Sequence, residues 1–95
     1  MKIMAFNVSG QIYTFDQYLK VDPYCNSVTF INRGDSVVLV NGIPLAPSPL
    51  GPGFAGESIA FSGNEGEVYR GDIELRFVAG GTSDQCAVLQ KFYLQ

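Results

Sequence analysis

The stretch from Ser27 to Leu45 constrains this fold most: Ser-Val-Thr-Phe-Ile-Asn, Arg-Gly-Asp, Ser-Val-Val-Leu-Val, Asn-Gly, Ile-Pro-Leu. Its apolar runs, Val28–Ile31 and Val37–Val40, are almost wholly β-branched or aromatic, types that fit a pleated, half-buried surface. Asn41-Gly42 is a hairpin signal with a mechanism, because a type I′ turn needs positive φ at both central residues. Asn32-Arg33-Gly34-Asp35 reads as a second tight turn of the same general kind. Three short strands joined by two turns, a β-meander, are therefore expected here. Pro44 cannot donate to a ladder, so Ile43–Leu45 is a short strand or lies at a sheet edge.

The flanking chain continues in the same grammar. Ile3 to Val8 alternates imperfectly, with Met4, Phe6 and Val8 on one face and Ile3 and Ala5 on the other. Ser9-Gly10 then predicts a two-residue hairpin into Gln11–Phe15. Asp16 to Pro23 has poor periodicity and reads as an irregular strand or a short turn of helix, ending in a bend at Val21–Tyr24. Ala46 to Gly56 breaks the pattern: three prolines, three glycines and no charge predict a long loop whose apolar points are Leu50 and Phe54. Glu57–Ser62 alternates with Ile59 and Phe61 inward. Asp72–Val78 alternates most cleanly, with Ile73, Leu75 and Phe77 on one face and Asp72, Glu74 and Arg76 on the other. Glycine-rich loops separate these runs at Gly63–Glu67 and at Ala79–Asp84. Cys86–Leu94 is apolar on both faces, so it lies inside the structure or is covered by another subunit.

No window sustains a 3.6-residue period, so almost no helix is expected. Residues 1–95 read as one all-β domain, a small β-sandwich or jelly roll of seven or eight short antiparallel strands. An immunoglobulin-like and a jelly-roll connectivity are equally compatible with the pattern. The expected core is Phe30, Val38, Val40, Ile59, Phe61, Ile73, Leu75 and Phe77.

Composition narrows the function. The net charge is −3, and the six basic residues are scattered without a cluster. Nucleic-acid binding, which draws its affinity from phosphate neutralisation, is a poor fit. No run approaches the length of a membrane span. The apolar start breaks at Asn7, too early for a secretory signal. With no histidine and only Cys25 and Cys86, 61 positions apart, no zinc spacing exists and no cofactor is implied. The cysteines read as small buried hydrophobes, with a disulfide as the sharper alternative in an oxidising setting.

Candidate chemistry fares poorly against simpler readings. Glu65 and Glu67 share a loop, and Asp72 and Glu74 share an outward strand face, which makes them solvated charges rather than a general acid–base pair. The serines have no histidine partner. Gly51-Pro52-Gly53-Phe54-Ala55-Gly56 has the spacing of a dinucleotide fingerprint but contains Pro52 and no following helix. An enzyme is not expected. Arg-Gly-Asp occurs at 33–35 and 70–72. It resembles the integrin-binding tripeptide, yet turn chemistry alone accounts for glycine and aspartate there. The uncharged loop is more informative: Leu50 and Phe54 either cap the domain's own core or serve as partner contacts.

The run Val-Thr-Phe-Ile-Asn-Arg-Gly-Asp-Ser-Val-Val-Leu-Val-Asn-Gly-Ile-Pro-Leu-Ala-Pro, followed by Gly-Glu-Ser-Ile-Ala-Phe, resembles a pattern in small β-sandwich structural proteins of bacteriophage particles. The likeness covers Val28–Phe61 and is interrupted at Ser48–Ala55, which splits a Pro-Gly-Glu-Ser run into Pro47 and Gly56-Glu57-Ser58. It implies a non-enzymatic virion component, such as a capsid decoration, head-fibre or tail-associated subunit, assembled in the host cytoplasm. Its partners would be other virion proteins and copies of itself. An extracellular carbohydrate- or surface-binding module of an adhesin is the alternative. Tyr13, Tyr18, Tyr24, Tyr69 and Tyr93 are then the candidates for an aromatic platform facing a host-surface ligand.

Overall fold

The computed structural model describes residues 5–78 and 81–94. Eight strands follow one another: β1 (Phe6–Tyr13), β2 (Gln17–Lys20), β3 (Cys25–Asn32), β4 (Val38–Val40), β5 (Ile43–Leu45), β6 (Ser58–Ser62), β7 (Asp72–Phe77) and β8 (Cys86–Tyr93). The pairing is nested: β1 with β8, β2 with β7, β3 with β6 and β4 with β5, all antiparallel. A chain doubled back at the β4–β5 turn and then rolled up gives this scheme. Ladders between β3 and β8 and between β4 and β7 complete two sheets, ordered β1-β8-β3-β6 and β2-β7-β4-β5. This is a jelly roll, the expected all-β sandwich with its connectivity resolved. No helix occurs among the described residues.

The core lies between the sheets because each strand alternates. β3 buries Val28 and Phe30, β4 buries Val38 and Val40, and β7 buries Ile73 and Leu75, all fully. Ile59, Phe61 and Phe77 are only half-buried and pack against the rim of this cluster. Leu19, Leu45 and Val88 join the core, as do Cys25 and Cys86, which are free thiols with no exposure. The buried-hydrophobe reading of the cysteines therefore holds, and they form no disulfide. Phe30 meets Phe61 edge-on, with ring centroids 6.2 Å apart, a favoured aromatic arrangement.

The Asn41-Gly42 turn is present as expected. Asn41 has φ 50° and Gly42 φ 82°, and Val40 pairs directly with Ile43. β5, with Pro44 at its centre, is a three-residue edge strand.

Three expectations are corrected. The first is the meander: β3 and β4 belong to different sheets, so Asn32–Asp35 is a corner and not a hairpin turn. Backbone N–H groups of Arg33 and Asp35 donate to Gln85 and Ser83 carbonyls, which carries the chain along the β8 side before it crosses over. The second is the Ser9-Gly10 hairpin: β1 runs straight through it, held by an unbroken eight-residue ladder to β8. Glycine fits there because Leu89 leans across it, its Cδ2 3.0 Å from where a Cβ would stand. The third is the irregular segment after Asp16, which contains a regular four-residue strand, β2, paired with β7. β8 is central in its sheet, between β1 and β3, but it is not enclosed on both sides within this chain: Cys86 and Val88 face the core, while Leu89 on the opposite face is exposed. Ile3 and Met4 of the expected first strand, and Ala79 and Gly80 of the glycine-rich loop, lie outside the described residues.

Candidate functional site

The corner at Asn32 organises the end of the molecule that carries the uncharged loop. Asn32 is fully buried. Its Nδ2 donates to the carbonyls of Ser36 (2.7 Å) and Leu45 (2.9 Å), and its Oδ1 accepts from the Gly34 N–H at 3.0 Å. Its backbone N–H donates to the Glu57 carbonyl, and its carbonyl accepts from Gly56. One residue, through its side chain and its backbone, thus ties β3, the crossover, the end of β5 and the far end of the loop together. A buried amide must have all its polar atoms engaged, and this one does.

Gly34 permits the corner to sit close to the segment that leads into β8. A Cβ there would stand 2.2 Å from the Ser83 carbonyl oxygen. Asp35 closes the other side: its carboxylate accepts from the Thr82 and Ser83 backbone N–H groups and from the Thr82 hydroxyl. Those donors, Ser83 first and Thr82 next, hold its carboxyl below the ordinary aspartate range.

The loop from Ala46 to Glu57 is anchored on this corner. Gly53 donates its N–H to the Arg33 carbonyl at 2.8 Å, and Arg33 Nη2 donates to the Gly53 carbonyl at 2.6 Å. At the base, Glu57 N–H donates to the Ala46 carbonyl, and the Ala46 N–H donates to Glu57 Oε1. Ser48 braces the tip by accepting from Leu50 N–H on its hydroxyl and from Gly51 N–H on its carbonyl. Leu50 and Phe54 stand out from this frame, 73% and 53% exposed. They do not cap the domain's own core.

The other sequence candidates are dispersed. Arg33 and Asp35 are engaged within the corner, and Gly34 between them is buried, so the first Arg-Gly-Asp is structural chemistry. The second, Arg70-Gly71-Asp72, is exposed at the entrance to β7. Glu67 braces its own loop by accepting the Asn64 N–H. Glu74 accepts from the Tyr18 hydroxyl at 2.9 Å, which raises the tyrosine's pKa. The tyrosines do not gather into one platform: Tyr18 lies outward on β2, Tyr69 packs on Phe61, and Tyr93, whose backbone N–H donates to the Tyr24 carbonyl, accepts the Gly66 N–H on its hydroxyl. A concavity of about 530 Å³ lies between β6 and the loop that follows it. Its buried amide, Asn26, is already engaged by the carbonyls of Asn64 and Glu67. Among the described residues, no three His, Cys, Asp or Glu side chains gather as metal ligands, and no helix is long and apolar enough to cross a membrane.

Family models, curated proteins and solved structures give no match to this chain. The reading of the site rests on its geometry alone. The exposed pair at Leu50 and Phe54 comes from the sequence pattern. The anchor formed by Asn32 and Arg33 does not, because the partners that tie it to the loop, Leu45, Gly53, Gly56 and Glu57, lie thirteen to twenty-five positions away and only the rolled-up topology brings them close.

Proposed function

We propose that this chain is a non-enzymatic structural subunit of a bacteriophage particle, a decoration, head-fibre or tail-associated protein working through protein–protein contacts. The observation that carries the reading is the anchored loop. An uncharged segment, pinned at Arg33 and at its Ala46–Glu57 base, holds two large apolar side chains in solvent. Such a pair has little reason to be held out unless a surface receives it. Ordering the loop in advance lowers the entropy lost on docking. The jelly roll is compatible with the reading, since viral capsid domains use that fold, although the support is analogy because lectins share it. The virion is the corresponding location, and neither a cofactor nor nucleic acid has a part in it.

Replacing Leu50 and Phe54 together by serine tests the proposal. The expected result is an unchanged melting temperature with loss of the protein from purified particles, read by mass spectrometry. Failure to find the unaltered protein in particles would overturn the virion assignment. Normal incorporation of the variant would overturn the role of the loop.

A further inference from the structure

The two sheets have four edges, and three are protected against pairing with another strand. β5 is three residues long and contains Pro44, β2 is four residues long and ends in Lys20, and β6 spans only Ser58–Ser62. Shortness, proline and lysine are the usual guards of a sheet edge. β1 has none of them. It runs for eight residues, Phe-Asn-Val-Ser-Gly-Gln-Ile-Tyr, without charge, proline or bulge. Among the described residues, no strand lies on its outer side.

The direction of its free backbone groups follows from the ladder. Leu94 N–H donates to the Ala5 carbonyl at 2.9 Å, so Ala5 faces β8. Antiparallel alternation then turns Asn7, Ser9, Gln11 and Tyr13 toward β8 as well, and Phe6, Val8, Gly10 and Ile12 outward. The Val8 N–H agrees, since it is taken up by the Oδ1 of its own neighbour Asn7 at 2.9 Å. The side chains of the outward-bonding residues are the apolar ones. Phe6, Val8 and Ile12 are each more than half exposed, on the sheet face that also carries Leu89.

We infer that β1 is a homodimerisation edge, pairing antiparallel with β1 of a second copy about a twofold axis at Ser9. This is the one register that joins all four outward residues: Phe6 opposes Ile12 of the second copy, and Val8 opposes Gly10. Every outward N–H and C=O of those residues is then bonded, the weak Asn7–Val8 bond being exchanged for a ladder bond. The twofold axis stands perpendicular to the sheet, so both apolar faces lie on one side and an eight-stranded sheet spans the dimer. Phe6 against a β-branched partner is a favourable cross-strand pair. No like charges meet, because the strand has none. A closed, isologous contact of this kind needs no second interface to terminate it. The inference deepens the self-association in the function proposed above but does not rest on a particle, and it is tested on purified protein alone.

Sedimentation across a concentration series, to millimolar protein, should show a monomer–dimer equilibrium. Val8→Lys should weaken it by about tenfold or more while leaving the melting temperature of the monomer in place, since Val8 is exposed. Register is read separately by cross-linking. Ser9 opposes itself in a non-hydrogen-bonded pair with Cα atoms about 4.5 Å apart, within disulfide reach. Ser9→Cys should therefore oxidise to a covalent dimer, whereas Gln11→Cys, which faces Asn7 of the second copy, should not. The buried native thiols do not compete. A protein that stays monomeric, a dimer indifferent to Val8→Lys, or equal cross-linking of the two cysteine variants would each overturn the inference. So would a monomer that accepts only a foreign strand on this edge. None of these results bears on incorporation into particles, which the loop variants decide.

Discussion

At the residue scale, Asn32 is a polar residue as deeply buried as the apolar core and bonded to several segments at once. Its amide supplies two donors to carbonyls on different segments and one acceptor to the N–H of Gly34. Truncation would remove all three of these bonds from buried groups, and bonds lost at buried polar groups are expensive. Asn32→Ala is expected to lower stability by about 3 kcal/mol in urea unfolding. Asn32→Asp should be worse, because a carboxylate would face the two carbonyls that now accept from Nδ2. If the aspartate variant were as stable as the native protein, the amide orientation described above would be wrong. The sequence marks Asn32 only as a turn residue. Its buried bonds with Leu45 and Glu57 come from tertiary proximity, which local pattern does not encode.

At the element scale, what was legible in the sequence is what depends on neighbours along the chain. The β4–β5 hairpin follows from Asn41-Gly42, and β7 follows from the alternation of Ile73, Leu75 and Phe77. What was not legible depends on distant pairing. Ser9-Gly10 has good turn residues, but the ladder to β8 overrides them, and Asn32–Asp35 has good hairpin residues, but its ladder runs to the β8 side. β2 is too short for its alternation to stand out, so local pattern does not mark Leu19 as a core residue. Gly42 offers a clean test of the local part. A Cβ there would meet nothing within 4 Å, so any penalty of substitution is backbone strain at φ 82° and not collision. Gly42→Val should destabilise by about 1–2 kcal/mol, while Gly42→Asn, which tolerates that conformation, should do much less harm. Equal melting temperatures for the valine and asparagine variants would contradict the turn type.

At the scale of the whole molecule, the nested pairing makes the sandwich one cooperative unit, because every ladder except the β4–β5 hairpin joins residues far apart in sequence. The two cysteines lie at opposite ends of its central ladder: Cys25 pairs with Phe92, and Asn32 pairs with Cys86. Burial pushes the Cys86 thiol up to about 11, and burial, with Asp22 second, raises Cys25. The native state thus favours the neutral thiols. That contribution is complete below the thiol's unfolded value of about 8.5 and is lost as pH rises toward the native value, so labelling is best read near pH 8. At that pH, a thiol-specific alkylating reagent should modify the two cysteines at the same slow rate, set by global unfolding. Mild urea should accelerate both in parallel, with the dependence found for equilibrium unfolding. Faster modification of Cys25 alone would mean that the Cys25–Phe92 end of the ladder opens by itself, in which case the central ladder is not a single cooperative element.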